Sequence, residues 1–251
     1  PYETLQTAED TSNCIHLAFL AGGYRPEEMS VVVKDAKTAM EALFDHEPFK
    51  TMRQHFNIVA VKSPSMESGA SEPGKGIWKN TALNSHWDTN YSERYLTTPH
   101  LKDMHDLLAG TPYEHILVLV NSERYGGGGI LNSYILSTMH NQWSNPVVVH
   151  EFGHSFAGLA DEYAYEGDEI DMYPLDVEPW EKNITTKVDF HGKWESLIGK
   201  DPKAGLIEGA GYKTKGVFRG YEDCRMRTNE IPEFCPACRK ATQELIDFYV
   251  K

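Results

Sequence analysis

The stretch Asn145-Pro146-Val147-Val148-Val149-His150-Glu151-Phe152-Gly153-His154-Ser155-Phe156-Ala157-Gly158 decides how this 251-residue chain is read. Three consecutive valines favour a strand by local propensity. Asn145 as a cap, Pro146 at the first helical position and Gly158 as a stop favour a helix, and the histidine spacing makes the same choice. On a helix, His150 and His154 share one face about 6 Å apart along the axis, so both rings reach a single ion. Val149, Phe152 and Phe156 then anchor the helix in the core. Glu151 leaves the helix beside the ligand face, where it acts as a general base without becoming a ligand; two histidines and a glutamate in this arrangement bind Zn2+.

A catalytic zinc takes three protein ligands and keeps one position open, so one ligand remains to be found. Asp161, three residues beyond Gly158, is the first choice and Glu162 the second. Either carboxylate leaves the zinc less positive than a third histidine does. Outward from the helix, short apolar runs rich in branched residues read as strands over 13–20, 56–61 and 114–120. Ala36, Ala39, Met40 and Leu43 place a helix over 34–43 between the first two, which makes that connection a crossover and the fold class α/β. Further helices are expected over 99–108 and 239–249. The Ser-, Gly- and Pro-rich segment 63–79 reads as a surface excursion, with a substrate-facing role as a secondary reading.

A formal net charge of -13 without any block of Lys or Arg argues against a nucleic-acid partner. No apolar run is long enough for a transmembrane segment, oligomerisation is not indicated, and Pro1 suggests a processed or trimmed product. Tyr125 is followed by Gly126, Gly127, Gly128, Gly129 and Ile130. Lacking the Lys-Ser/Thr ending, this run is not a phosphate loop. It reads as a flexible turn, or as an edge strand left bare so that an extended peptide pairs with it. Of the four cysteines, Cys14 reads as a buried strand thiol, and three gather near the C-terminus. A disulfide from Cys224 to Cys235 or Cys238 is expected there; a structural zinc with a fourth ligand and a redox pair are the alternatives.

The run from His150 to Tyr163 resembles the active site of the M64 peptidases, the IgA-peptidase family of metzincin-like zinc endopeptidases. Asn121, Tyr125 with the glycines, Glu208-Gly209-Ala210-Gly211-Tyr212, Cys224-Arg225-Met226-Arg227 and Phe234-Cys235-Pro236-Ala237-Cys238 resemble the same family, extending the likeness over roughly residues 12–249. The resemblance implies a single metallopeptidase catalytic domain over 1–251. Its N-terminal lobe, about 1–158, would carry a twisted mixed sheet and helices; the zinc helix would cross the centre, and an irregular C-terminal lobe, about 159–251, would end in a helix. It further implies that Met226 forms a tight turn beneath the metal, that the substrate is a protein or peptide, and that the location is secreted or the bacterial cell envelope. Two departures stand out. Asp161 replaces the third histidine of the commonest metzincin pattern, with the glycine one place later, and Gly22 in Ala21-Gly22-Gly23-Tyr24 stands where the family usually has an acid.

The expected activity is zinc-dependent hydrolysis of internal peptide bonds with Glu151 as base. Tyr163, Tyr165 and Tyr212 are unranked candidates for a hydrogen bond to the oxyanion. A zinc aminopeptidase or other amide hydrolase, with the cleft closed at one end, and a noncatalytic zinc-containing protein- or glycan-binding module, with the cleft blocked, are the alternatives.

Overall fold

Strand residues that are apolar on both sides require cover on both faces of a sheet, and the chain builds two different covers. In the computed structural model, which describes residues 2–167 and 169–251, six strands make the main sheet: β1 (Tyr2–Gln6), β2 (Ile15–Gly22), β3 (Phe56–Val61), β4 (His115–Val120), β5 (Gly127–Gly129) and β6 (Ile135–Thr138). Their order is β1-β3-β2-β4-β6-β5. The four inner strands run parallel, and β1 and β5 close the two edges antiparallel. Helix α1 (Met29–Phe44) is the crossover between β2 and β3, one turn longer at its start than its apolar spacing indicates.

The period-two alternation of the strands divides the core. Leu17, Phe19 and Ala21 of β2 face α1 and the long helix over Ser144–Ala157, whereas Ala18 and Leu20 face Trp87, Leu96 and Met104. Met104 belongs to the short helix α2 (Leu101–Leu107), and α3 spans Ser144–Ala157. Segment 63–79 is part of this second cover rather than a substrate-facing excursion. Ala70 is buried there, Ser63 Oγ donates to the Ala21 carbonyl at 2.7 Å, and none of these residues lines the cleft beside α3.

Helix α3 begins two residues earlier than its sequence signals indicate. Trp143 is the cap, and Asn145 and Pro146 lie within the first turn, where a missing N–H costs nothing because such groups lack an intrahelical partner. Val147, Val148 and Val149 are all buried, so packing overrides their strand preference. Phe152 and Phe156, stacked at 5.1 Å, hold α3 to the sheet, each contributing about 1.5–3 kcal/mol by burial.

The C-terminal part is more regular than expected. It carries a three-stranded antiparallel sheet of β7 (Ile184–Thr185), β8 (Ile207–Ala210) and β9 (Lys213–Arg219), in the order β7-β9-β8, before helix α4 (Pro236–Tyr249). Among the described residues, no helix is long and apolar enough to cross a membrane.

Candidate active site

One turn of α3 separates His150 from His154, and both rings turn the same way. Each commits its Nδ1 to the backbone: His150 donates to the Arg225 carbonyl at 3.1 Å and His154 to the Leu159 carbonyl at 2.6 Å. Such bonds fix the tautomer and leave Nε2 as the free ligand atom. The two Nε2 atoms stand 3.1 Å apart.

Gly158 ends the helix in the left-handed region, at φ 59°, where a side chain would also strike the Trp180 ring. The chain therefore folds back at once, and Asp161 Oδ1 arrives 3.0 Å from His150 Nε2 and 3.3 Å from His154 Nε2. Ligand bonds of 2.0–2.1 Å to a tetrahedral zinc imply donor separations of about 3.3–3.4 Å. The three donor atoms thus have the spacing of one face of such a tetrahedron. Asp161 Oδ1 is buried and receives no hydrogen bond, while Tyr212 donates its hydroxyl proton to Oδ2. Two imidazoles and a carboxylate with an unsatisfied buried oxygen fit a zinc ion.

The electrostatics agree with a site built for positive charge. Burial acts upward on Asp161, but the two histidines outweigh it and hold the carboxyl well below its usual range. Burial acts downward on His154, yet the Asp161 and Glu151 carboxylates raise it to about 9. For Glu151 burial dominates and pushes the carboxyl above its ordinary value, against the pull of His150, His154 and Arg94.

The glycine run explains how Glu151 is held. A Cβ on Gly127 would lie 3.0 Å from Glu151 Oε1, and one on Gly129 would lie 2.6 Å from the Glu151 carbonyl. These glycines are close-packing positions, and the bare edge is shorter than the sequence suggests. The Gly127 carbonyl accepts from Leu96 N–H at 3.1 Å, and its N–H donates to the Arg94 carbonyl at 3.4 Å, so Gly126 and Gly127 are covered. Two residues on, the Gly129 backbone turns to the same side by alternation. Gly128, Gly129 and Ile130 line a cavity of about 1080 Å³ together with His150, Glu151 and His154. A second cavity of about 540 Å³, lined by Tyr125, Trp143 and Asn229, adjoins it across His150 and Glu151.

Met226 is fully buried beneath α3, and a Cβ on Gly153 would lie 2.7 Å from its sulfur. Glu162, the second choice for third ligand, turns away from the histidines and enters the C-terminal thiols. The expected disulfide is absent. All four cysteines are free, and Cys224 Sγ stands 3.6 Å from Cys238 Sγ, well beyond an S–S bond of about 2.05 Å. Of the tyrosines, Tyr212 is committed to Asp161; Tyr163 and Tyr165 both line the two cavities, and of these Tyr165 is exposed whereas Tyr163 is half-buried and bonded to Arg94.

Arg94 was not singled out in the sequence. It also lines both cavities, and its Nη2 donates to the Tyr163 hydroxyl at 3.3 Å. Only the folding of its loop against β5 brings it there. Asn183, equally unmarked, clamps the returning loop: its side chain exchanges hydrogen bonds of 2.8 Å with both the Ala160 N–H and the Ala160 carbonyl.

The family model described as IgA Peptidase M64 matches residues 4–203. The match takes in α3 and Asp161 and stops short of Met226 and the three C-terminal cysteines. Archaemetzincin from Methanopyrus kandleri aligns with 95% of this chain and 99% of its own, at 12% identity and a TM-score of 0.37, a distant likeness. No curated protein matches the chain.

Proposed function

The chain belongs to the IgA peptidase M64 family, whose members are metallopeptidases, and from that premise we propose that it is a zinc-dependent endopeptidase with Glu151 as general base. The observation that carries this reading is the cleft: cavities extend to both sides of His150 and Glu151. A polypeptide can therefore continue past the reacting bond in both directions. An aminopeptidase would close one side.

His150, His154 and Asp161 would hold the metal. Zinc bound there supplies a Lewis acid that polarises a carbonyl oxygen and lowers the pKa of water to about 7. Glu151, raised by burial, accepts a proton from the attacking water at its carboxylate and delivers it to the leaving amine. Tyr163, oriented by Arg94, offers a hydroxyl proton to the developing oxyanion, and the guanidinium adds positive charge on the same side. The outward-facing Gly129 backbone pairs with the extended substrate, setting its carbonyl over the histidine pair. Tyr212 acts by orienting Asp161. A secreted or cell-envelope location stays within the proposal through the family alone, since the cysteines are free.

The test is cleavage of a library of peptides blocked at both ends by the zinc-loaded protein. Internal cuts are expected. Activity confined to peptides with a free amino terminus would replace this reading with an aminopeptidase, and zinc binding without any cleavage would replace it with a binding module.

A further inference from the structure

Behind the returning loop, on the side away from the cleft, lies a second convergence of ligand-type atoms. Glu162 comes from the loop itself, Cys224 from the segment after β9, and Cys235 and Cys238 from the start of α4. Their four ligand atoms all lie within 4.8 Å of one another. Cys224 Sγ to Cys238 Sγ is 3.6 Å, Cys238 Sγ to Glu162 Oε1 is 3.0 Å, and Cys235 Sγ to the same oxygen is 3.8 Å. Bonds of 2.3 Å to sulfur and about 2.1 Å to oxygen give tetrahedral edges of about 3.8 Å between sulfurs and about 3.6 Å between sulfur and oxygen. The three separations lie within about 0.6 Å of those edges.

We propose that Glu162, Cys224, Cys235 and Cys238 hold a second, structural zinc ion. Three observations favour an ion over a merely packed cluster. First, Glu162 is completely buried, and its Oε2 has no hydrogen-bond partner; an uncompensated buried carboxylate is expensive unless a cation or a proton meets it. Second, Cys224 and Cys238 are also completely buried and Cys235 nearly so, which makes a closed four-ligand site with no position for solvent, as structural zinc sites are. Third, backbone dipoles face two of the sulfurs. Cys235 caps the N-terminus of α4, where the helix dipole stabilises negative charge, and its N–H donates to Cys224 Sγ at 3.2 Å.

A disulfide between two of these cysteines would leave at most one thiol to donate to Glu162 Oε1 and would still leave the buried Glu162 Oε2 without a partner. A single ion satisfies all four. It would also fasten the chain that shapes the cleft, because Glu162 follows Asp161 directly and its N–H donates to the Met226 carbonyl at 2.8 Å. The site is independent of the catalytic reading.

The full-length chain is loaded with zinc and its metal counted; cobalt is then substituted and the near-ultraviolet spectrum recorded. Two metals per chain are expected, with a thiolate-to-cobalt charge-transfer band. His154→Ala should lose one metal and keep the band. Cys238→Ser should lose the band. To keep the test independent of whether that variant folds, free thiols are also counted in the denatured, chelated wild type, where all four should react. One metal in the wild type that disappears with His154→Ala, with no thiolate band, overturns the proposal, as does a thiol count lower by two. A thiolate band that persists while no histidine variant changes the metal count supports the proposal and instead defeats the histidine site.

Discussion

Asp161 and Glu162 are adjacent in the chain and belong to opposite worlds. Asp161 joins two imidazoles whose side chains keep 14% and 18% of their surface open to the cleft, whereas Glu162 joins three thiols that are sealed from solvent. A set of nitrogen and oxygen donors with an open side suits a metal that must accept a substrate. A closed set rich in sulfur suits one that only holds chains together. One extended dipeptide, pinned by Asn183 and by the Met226 carbonyl, serves both. The comparison teaches that burial and donor softness, not sequence distance, decide which of two neighbouring carboxylates belongs to the chemistry.

The strongest way to separate the two centres is Glu151→Gln. It removes the base and leaves every donor atom of both clusters in place. Peptide hydrolysis should fall by about 10²–10⁴-fold, with the metal count and the thiolate-to-cobalt band unchanged. If the variant hydrolysed internal bonds at the wild-type rate, Glu151 would not be the base.

Acid would blur the comparison, because a buried histidine outside both centres responds to it as well. His115 of β4 packs against Phe156 and Tyr249 at ring distances of 4.8 and 5.8 Å, and burial pushes it down to about 4. With its folded value below the ordinary 6.5, the unfolded chain takes the proton first as pH falls. Stability that is complete above 6.5 is therefore lost on the way to 4, by about 3 kcal/mol in all. Urea unfolding of the metal-free protein at pH 7 and pH 5 should show the decline, and His115→Leu should flatten it. An unchanged slope in that variant would move the acid sensitivity back to the metal ligands.

Tyr212→Phe probes one centre alone. It strips Asp161 Oδ2 of its donor and should weaken metal affinity or activity at the histidine site by about 10–100-fold. Competitive titration with a zinc chelator reads the affinity, and the cobalt band of the thiol cluster serves as the internal control. Loss of metal from both centres together would mean that they are one cooperative unit.

What could be read from the residues follows the same division. His150, Glu151 and His154 were legible because helical periodicity alone fixes their mutual geometry, and Asp161 because a short glycine turn leaves it little freedom. The parallel core followed from apolar runs joined by a helix of suitable length. The thiol cluster was legible only in part. Three cysteines suggest a disulfide and a spare, and the fourth member lies 62 residues before Cys224, hidden as the rejected third ligand of another site. Arg94 was invisible for a related reason: its loop carries no periodicity, and a single bridge between Tyr95 and Gly127 brings it to the cleft. The segment 63–79 misled because its Ser, Gly and Pro content describes local turns and says nothing of the apolar face that those turns cover.

Met226 sits where the two centres meet. Its sulfur lies beneath Gly153 of the histidine helix, its carbonyl receives the Glu162 N–H, and Cys224 is two residues away. If its part is to fill space, Met226→Leu should cost less than about 1.5 kcal/mol, as volume-conserving core swaps do, and both centres should keep their metal. The measurements are urea unfolding and a metal count on the same preparation. A loss of metal from the histidine site at nearly unchanged stability would give the thioether a role that packing does not explain. Loss from the thiol site instead would show that the Cys224 turn depends on the shape of the methionine, and the boundary between the open and the sealed centre would then run through this one side chain.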